Sequence, residues 1–268
     1  MTLSLHRRAF AGSIAALGLG ALLTVAAPFA AAQSVADLKK KGEINVGLLV
    51  DFPPYGITNA QNQPDGYDAD VARLLGKDLG LKVNLVPVTG PNRIPYLLTG
   101  KVDLLIASLA ITPERAKQVT FSKPYSAATI VLYGSKKANI KAAPDLKSVR
   151  VGVARASTQD VALTQIAPPG TEIRRFDDDA SAMQALISGQ VDAIGCSTTV
   201  AAQIAERVPA NTFEQKFVLR QQEMAAALRP GQDDLLKSVN DFVARNTANG
   251  ELNKLYHKWL KSDLPKMQ

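Results

Sequence analysis

The sequence predicts an α/β fold with two similar lobes that are joined by a two-strand hinge. Three observations lead to this prediction. Strand-like and helix-like stretches alternate along the chain, the same alternation restarts near residue 149, and two extended stretches separate the repeated parts. Alternating strands and helices fold into a mostly parallel sheet that carries helices on its faces.

The first round of the alternation predicts the order strand, helix, strand, helix, strand. The strands are "EINVGLLV" (43–50), "LKVNLVPV" (81–88) and "VDLLIAS" (102–108), which are rich in apolar residues. Between them, "YDADVARLLGKDLG" (67–80) has apolar residues at helical spacing and ends in glycine, and "NRIPYLLTG" (92–100) is a shorter helix.

The second round repeats this order. The predicted strands are "VRVGVA" (149–154), "TEIRRF" (171–176) and "VDAIGCS" (191–197). The predicted helices are "STQDVALTQIA" (157–167) and "DASAMQALISG" (179–189).

The two rounds also share residues at matching positions. "LLTGKVDLLIAS" (97–108) and "LISGQVDAIGCS" (186–197) both fit the pattern L-x-x-G-x-V-D. This alignment places Ser108 opposite Ser197, at the ends of equivalent strands. A repeat at the same place in the same topology predicts two similar domains.

The connections between the rounds predict a hinge. "FSKPYSAATIVLYG" (121–134) is extended, and a β-rich stretch (215–230) precedes two predicted helices, 233–248 and 250–261. Too few strands remain after residue 215 for a third domain, so we expect this tail to return to the first lobe.

These connections set the predicted domain boundaries. Lobe 1 comprises residues 33–126 plus 225–268, and lobe 2, inserted into it, comprises 127–224. The hinge lies near 126–130 and 221–225. A ligand is expected in the crevice between the lobes, at the carboxyl ends of the strands.

The amino-terminal stretch 1–32 predicts a secretory signal peptide. Arg7 and Arg8 precede an apolar run of small residues, which ends in an A-x-A cleavage pattern at Ala32. General secretion and twin-arginine export both remain open. No later apolar run approaches the roughly 20 residues that a membrane span requires.

The chain's single cysteine, Cys196, limits the possible anchors and crosslinks. It lies far from the cleavage site, so neither a lipid-anchored amino-terminal cysteine nor an intramolecular disulfide is available. We therefore expect an exported, unanchored protein of the periplasm.

Composition and missing motifs exclude several functions. Without the two arginines of the signal peptide, the 31 basic residues fall to 29 against 24 acidic ones, and this excess is spread along the chain, which argues against nucleic-acid binding. The sequence has no nucleophile elbow, no metal-ligand spacing and no glycine-rich phosphate loop. We therefore expect no catalytic residue, no metal and no cofactor.

A conflict of charge near residue 115 points to an anion. Thr112 has the features of a helix N-cap, and Pro113 suits the first helical position. Glu114 suits the positive end of the helix dipole, whereas the cation Arg115 does not. Two explanations remain: Arg115 binds an anionic ligand, or it forms a salt bridge with an acidic neighbour on the surface.

The second round has a comparable position. "RASTQD" (155–160) places Ser157, Thr158 and Gln159 where a strand turns into a helix. The amides at such a helix start bind anions. The alternative is that Ser157 only caps the helix.

Several motifs of the sequence resemble those of a known protein family. The chain is similar to the family 3 extracellular solute-binding proteins, the polar amino-acid receptors of ABC importers, over nearly all of its mature length. The resemblance rests on four motifs: "GYDADVARLLGKDLG" (66–80), "NRIPYLLTGKVDLLIASLAITPERAKQVTFSKPY" (92–125), "VGVARASTQD" (151–160) and "GQVDAI" (189–194).

The resemblance implies the periplasmic-binding-protein type II architecture. It also implies hinge closure on a small polar solute, most simply an acidic amino acid, and delivery to an ABC permease in the inner membrane. We expect a monomer and a binding protein rather than an enzyme.

By this resemblance, Arg115 binds the ligand's α-carboxylate, and Thr158 closes on that carboxylate from the second lobe. Phe52 covers the ligand, and Ser108 offers backbone and hydroxyl contacts. Arg93 either meets a second carboxylate of the ligand or forms a structural ion pair.

Three departures from the family pattern concern the ligand's α-ammonium. Ser197 stands where relatives carry an Asp or Glu that pairs with it, and Ala110 stands where a hydroxyl acceptor is common. Leu49 replaces a polar side chain. Fewer acceptors beside several arginines favour a carboxylate-rich ligand, which is either an acidic amino acid held differently or an organic acid without an amine.

Two further functions on the same fold remain as alternatives. Some relatives are periplasmic dehydratases, which need a general acid or base. Ser197 lacks that capacity, and Asp51 and Asp160 are the acids with access to the cleft. A sensor that presents its closed lobes to a receptor kinase is the other alternative.

Overall fold

The computed structural model describes residues 34–267. The predicted signal peptide, 1–32, lies outside these residues. Within the described part, no helix is both long enough and apolar enough to cross a bilayer.

Helices and strands alternate as the sequence predicts. The helices are α1 (Val35–Lys41), α2 (Tyr67–Leu79), α3 (Arg93–Leu98), α4 (Pro113–Ala116), α5 (Thr158–Ile166), α6 (Asp179–Ile187), α7 (Thr198–Arg207), α8 (Asp233–Ala248) and α9 (Glu251–Leu260), with a 3-10 helix at Ala143–Ser148. The strands are β1 (Glu43–Leu49), β2 (Asp51–Phe52), β3 (Gly56–Thr58), β4 (Pro64–Asp65), β5 (Lys82–Val88), β6 (Leu104–Leu105), β7 (Thr120–Ser135), β8 (Arg150–Ala154), β9 (Glu172–Phe176), β10 (Ala193–Ser197) and β11 (Phe213–Leu228).

Eight of the described strands form one mixed sheet in the order β5-β1-β6-β11-β7-β10-β8-β9. Strands β5, β1 and β6 are parallel at one end, and β10, β8 and β9 are parallel at the other. Each end therefore repeats the β-α-β-α-β order of one half of the sequence, which confirms the predicted α/β class.

The long antiparallel strands β7 and β11 join the two ends of the sheet. Their ladder runs from the pair Phe213 and Ser135 to the pair Leu228 and Thr120, with several register shifts. Each strand has 16 residues; β11 pairs with β6 at one end of the sheet, and β7 pairs with β10 at the other. The extended stretches are thus confirmed as strands, whereas the lobe boundaries at 126–130 and 221–225 remain a prediction.

The structure differs from the sequence prediction in short elements. Helices α1 and α7 and the small antiparallel sheet of β2, β3 and β4 were not predicted. The third predicted strand is reduced to Leu104–Leu105, because the chain beyond it turns away and reaches Ser108 in a left-handed conformation, at φ 48°.

One glycine sets how closely α2 packs on the sheet. Gly76 is buried in α2, and a Cβ added there would lie 2.1 Å from Cγ2 of Val83 and 2.9 Å from the backbone oxygen of Leu81. Val83 is β-branched and sits on strand β5, so it has few rotamers with which to move aside.

We predict that Gly76→Ala destabilises the protein by about 1–3 kcal/mol, as overpacking of a core does. Helix propensity alone predicts the opposite, a gain of about 1 kcal/mol. Urea denaturation of the two proteins measures the difference. Lys77→Ala, on the exposed side of the same helix, is the control and should change stability little. A more stable Gly76→Ala variant would contradict this account of the packing.

Candidate functional site

A small cavity lies where β1, β6 and β8 end. It has a volume of about 30 Å³. Its lining residues come from both ends of the sheet and from β11: Leu49, Phe52, Arg93, Ser108, Ala110, Arg115, Ser157, Thr158, Gln159, Asp179 and Gln222. The structure therefore brings together every predicted ligand-binding residue except Ser197.

Arg115 is the central cation of this cavity. Its helix α4 is capped by Thr112, whose Oγ1 accepts a hydrogen bond from the backbone N–H of Arg115 at 3.3 Å. Nη1 donates to the backbone oxygen of Ala110 at 3.0 Å, and Nη2 donates to that of Ala156 at 3.2 Å. Among residues 34–267, no carboxylate forms an ion pair with it within 4.0 Å, so the surface salt bridge is not its explanation.

The electrostatic surroundings of Arg115 are unfavourable to its charge. Burial lowers the pKa of the guanidinium to about 9, and the neighbouring cations Arg93 and Arg220 add to this effect, with Glu114 opposing it. A cation held under these conditions gains from any anion that reaches it.

The backbone of two cavity residues is held in the left-handed region. Ser108 has φ 48° and Ala156 has φ 58°. For a residue with a Cβ this conformation costs about 1–2 kcal/mol. At Ala156 it belongs to the turn between β8 and α5 whose carbonyl oxygen accepts from Arg115. Such strain is typical of functional sites.

Arg93 is the second cation in the wall. It is 5% exposed and begins helix α3. Its Nε donates to the backbone oxygen of Gly90 at 3.3 Å, and its Nη1 donates to that of Ala107 at 3.0 Å. Burial lowers its pKa, and the charges of nearby carboxylates, with Asp179 and Asp51 foremost, oppose that shift. No described carboxylate lies close enough to form the structural ion pair.

A buried network fixes Ser108. Its Oγ donates to Oδ2 of Asp68 at 2.7 Å, and its backbone N–H donates to the hydroxyl of Tyr125 at 3.1 Å. That hydroxyl in turn donates to Oδ1 of Asp68 at 2.8 Å. Burial raises the pKa of Asp68 to about 7, although both hydroxyl bonds favour its ionised form. Ser108 is therefore rigidly placed.

Ser157 and Thr158 form the opposite wall. Ser157 caps α5, because its Oγ accepts from the backbone N–H of Asp160 at 3.1 Å, and it also lines the cavity. The Oγ1 of Thr158 donates to Oε1 of Gln222 at 2.6 Å. Asp160, one of the two acids considered for catalysis, forms an ion pair with Arg175 at 2.9 Å.

Ser197 is not among the residues that line this cavity, and its contact with a ligand stays a prediction. It ends β10 as predicted, but its Oγ accepts from the backbone N–H of Val200 at 3.2 Å and shares a hydrogen bond with Oγ1 of Thr199 at 2.6 Å. The residue is fully buried. It is the N-cap of α7, a helix that the sequence analysis did not include.

The other two predicted residues, Phe52 and Ala110, also line the cavity. Phe52 stacks on Tyr55 with ring centroids 5.1 Å apart. Ala110 contributes its carbonyl oxygen to Arg115.

Two polar residues of the wall, Asp179 and Gln222, were not predicted from the sequence, and Gln159 was predicted only as part of a helix start. Gln159 and Asp179 are 4% and 9% exposed, and Nε2 of Gln159 donates to Oδ1 of Asp179 at 2.9 Å. The available signal was the run of three aspartates at 177–179, which also fits an ordinary acidic helix start. Burial and the charge of Asp51 raise the pKa of Asp179 to about 7, with Gln159 and Arg93 opposing the shift and Asp178 adding to it.

A larger cavity of about 750 Å³ lies beside the middle of β7 and β11. The residues that line it include Gln222, which also lines the small cavity, together with Arg220 and the tail residues Pro265 and Lys266. The Nε of Arg220 is buried and has no hydrogen-bond partner among the described residues.

The comparisons with known proteins identify the family. A model of the bacterial extracellular solute-binding proteins of family 3 matches residues 44–262. The chain belongs to this family. The L-cystine-binding protein TcyJ of Escherichia coli is 31% identical over 231 residues, which cover 85% of this chain and 86% of that protein.

Solved structures agree with this assignment. An ancestral amino acid-binding protein, described as a precursor of cyclohexadienyl dehydratase, matches with a TM-score of 0.76 and 35% identity, over 84% of this chain and 98% of that one. The solute receptor for L-cysteine of Neisseria gonorrhoeae matches with a TM-score of 0.78 and 32% identity, over 84% and 93%. The predicted type II architecture is confirmed.

The partly buried carboxyl of Asp51 predicts a pH dependence of stability. Burial, and then the charge of Asp178, raise the pKa of Asp51 from 3.8 to about 6. The folded protein therefore holds this proton to a higher pH than the unfolded chain does, and this contribution to stability is lost as pH rises from about 4 through 6.

We predict that the unfolding free energy of ligand-free Asp51→Asn, relative to the unsubstituted protein, increases with pH from about 4 and levels off above about 7, because removing the charge of Asp51 also eases the ionisation of Asp179. Chemical denaturation at a series of pH values measures this difference. Asp177→Asn, whose carboxylate is exposed, is the control and should give a flat difference. A flat difference for Asp51→Asn as well would mean that its carboxyl is not buried.

Proposed function

We propose that this protein is the amino-acid-binding component of an ABC importer, and that Arg115 binds the ligand's α-carboxylate. The observation that carries the proposal is a partly buried guanidinium, in the wall of a cavity, that has only backbone carbonyls as partners among the described residues. Family membership supports the transport role.

The chemistry of Arg115 suits a carboxylate. A guanidinium has five N–H groups in a planar fork, and the two carbonyl bonds use two of them. The other N–H groups remain for two parallel bonds to a carboxylate, the strongest geometry that an arginine forms. The ligand's charge would also offset the two neighbouring cations.

Contacts across the cavity support capture by hinge closure. Arg115 reaches Ala156, and Thr158 reaches Gln222 on a strand that crosses between the two ends of the sheet. In the proposed lobes, 33–126 plus 225–268 and 127–224, a ligand makes all of its contacts only when the lobes are closed. It therefore stabilises the closed state, which a permease can recognise.

An L-α-amino acid is the proposed ligand class. The nearby Arg93 favours an acidic side chain, and relatives named for L-cystine and L-cysteine set the other members of a test panel. An organic acid without an amine is not favoured. We also propose export to the periplasm after removal of residues 1–32, a monomer, and binding without chemical change of the ligand.

The test is calorimetric titration of refolded, ligand-stripped protein with L-glutamate, L-aspartate, L-cysteine, L-cystine and L-glutamine. We predict that at least one binds and that Arg115→Ala weakens it by about 30-fold or more, the usual cost of removing one member of a buried charge pair. Arg155→Ala is the control, since this exposed arginine lies two positions before Ser157 but does not line the cavity.

Two outcomes count against the proposal. If Arg115→Ala and the unsubstituted protein bound the amino acid with equal affinity, the ligand's carboxylate would bind somewhere other than Arg115. Mass spectrometry that recovers the ligand chemically altered would make the protein an enzyme.

Closure has its own test at Gly90. A Cβ added to this residue would lie 3.0 Å from the backbone oxygen of Arg155, so the two segments approach closely. We predict that Gly90→Leu lowers ligand affinity while the melting temperature of the ligand-free protein changes little, because the added side chain blocks only the closed state. Unchanged affinity in Gly90→Leu would show that binding does not need this approach.

A further inference from the structure

The proposed amino-acid ligand carries an α-ammonium whose acceptor is the open question. Ser197 uses its hydroxyl as the cap of α7, and Ala110 has no polar side-chain atom. An ammonium taken out of water without acceptors is costly, and in a buried site it requires a charged or well-placed partner. Another carboxylate in the cavity wall would supply this partner.

Asp179 has the position and the free oxygen that this role requires. It is the first residue of α6, it is nine-tenths buried, and it lines the same cavity as Arg115. Its Oδ1 accepts from Gln159, whereas no donor among residues 34–267 bonds to Oδ2, and this oxygen is not enclosed by protein atoms. Oδ2 is thus left to accept a further hydrogen bond.

The neighbours of Asp179 hold it in this orientation. The preceding residue, Asp178, is the N-cap of α6, and its Oδ1 accepts from the backbone N–H of Ser181 at 2.6 Å. Capping is therefore done by Asp178, and Asp179 is left to face the cavity. Gln159 is itself closely packed, since a Cβ added to Gly195 on β10 would lie 3.0 Å from its Cβ.

We propose that Asp179 accepts the α-ammonium of the bound amino acid, while Arg115 binds its α-carboxylate. This inference rests on the proposed function and deepens it. It places the recognition of the ammonium on the start of α6, and it explains how the chain binds an amino acid although Ser197 is a helix cap.

The charges around Asp179 favour a cationic ligand group. Asp51 and Asp178 are the like charges that act on it, and Arg93 is the opposing cation. Arg93 does not neutralise it by direct pairing, because its Nε and Nη1 donate to the backbone oxygens of Gly90 and Ala107, and no ion pair joins the two side chains within 4.0 Å. An ammonium beside Oδ2 supplies the missing positive charge and stabilises the ionised carboxylate.

The experiment compares amino acids with their amine-free counterparts. L-Glutamate is paired with glutarate, and L-cysteine with 3-mercaptopropionate, in calorimetric titrations at pH 8. We expect the unsubstituted protein to prefer the amino acid of a pair. Asp179→Asn should lose at least about 30-fold in affinity for that amino acid but little for its counterpart, so the preference disappears.

The asparagine keeps the oxygen that accepts from Gln159, so the fold is conserved. Asp178→Asn is the matched control, because asparagine is also a good N-cap, and it should retain the preference. If Asp179→Asn has a lowered melting temperature, Asp179→Ser serves as a second variant for the same comparison.

The outcomes distinguish failure of the role proposed for Asp179 from failure of the proposed function. An intact preference in both Asp179 variants would overturn the role of Asp179 and leave the proposed function standing. Unsubstituted protein that binds only the amine-free acids, or no member of either pair or of the wider amino-acid panel, would overturn the proposed function and this inference together.

Discussion

The site depends on one constraint: the guanidinium of Arg115 has to be kept charged where water is partly excluded and no carboxylate of the described chain pairs with it. Two backbone carbonyls, of Ala110 and Ala156, hold it in place. They satisfy hydrogen bonds without cancelling the charge, so the cavity retains a positive potential. In the proposed function, a ligand carboxylate relieves this condition.

Two features of the nearby structure hold the backbone around the carbonyls of Ala110 and Ala156 in place. The left-handed turn at Ala156 is one such device, and the network of Asp68, Tyr125 and Ser108 is another. Ala156 and Ser108 both follow the carboxyl ends of parallel strands, β8 and β6, where α/β folds bind ligands. The long pair β7 and β11 connects the two ends of the sheet from which these segments come.

The sequence predicted the parts of this arrangement that depend on local pattern. The strand and helix order follows from periodicity, and the proposed role of Arg115 was suggested by a cation at the wrong end of a helix. The side-chain placement of Ser197 and of Asp179 could not be predicted, for one physical reason. A hydroxyl or carboxylate at a helix start either caps the helix or faces outward, and local sequence does not decide which.

The choice at these two positions is made by distant residues. Asp178 caps α6 and so leaves Asp179 to be bonded by Gln159, twenty positions earlier. Ser197 instead caps α7 itself. The small sheet of β2, β3 and β4 was missed for a related reason, since strands of two or three residues have too few positions to show a period.

The most direct measurement is a crystal structure of the protein with the tightest-binding amino acid of the panel. The account predicts the ligand's α-carboxylate on the guanidinium of Arg115, with N–O distances of about 2.7–2.9 Å, while the Ala110 and Ala156 carbonyl bonds persist. A ligand that lies in the larger cavity beside Arg220, with Arg115 bonded only to those carbonyls, would contradict it.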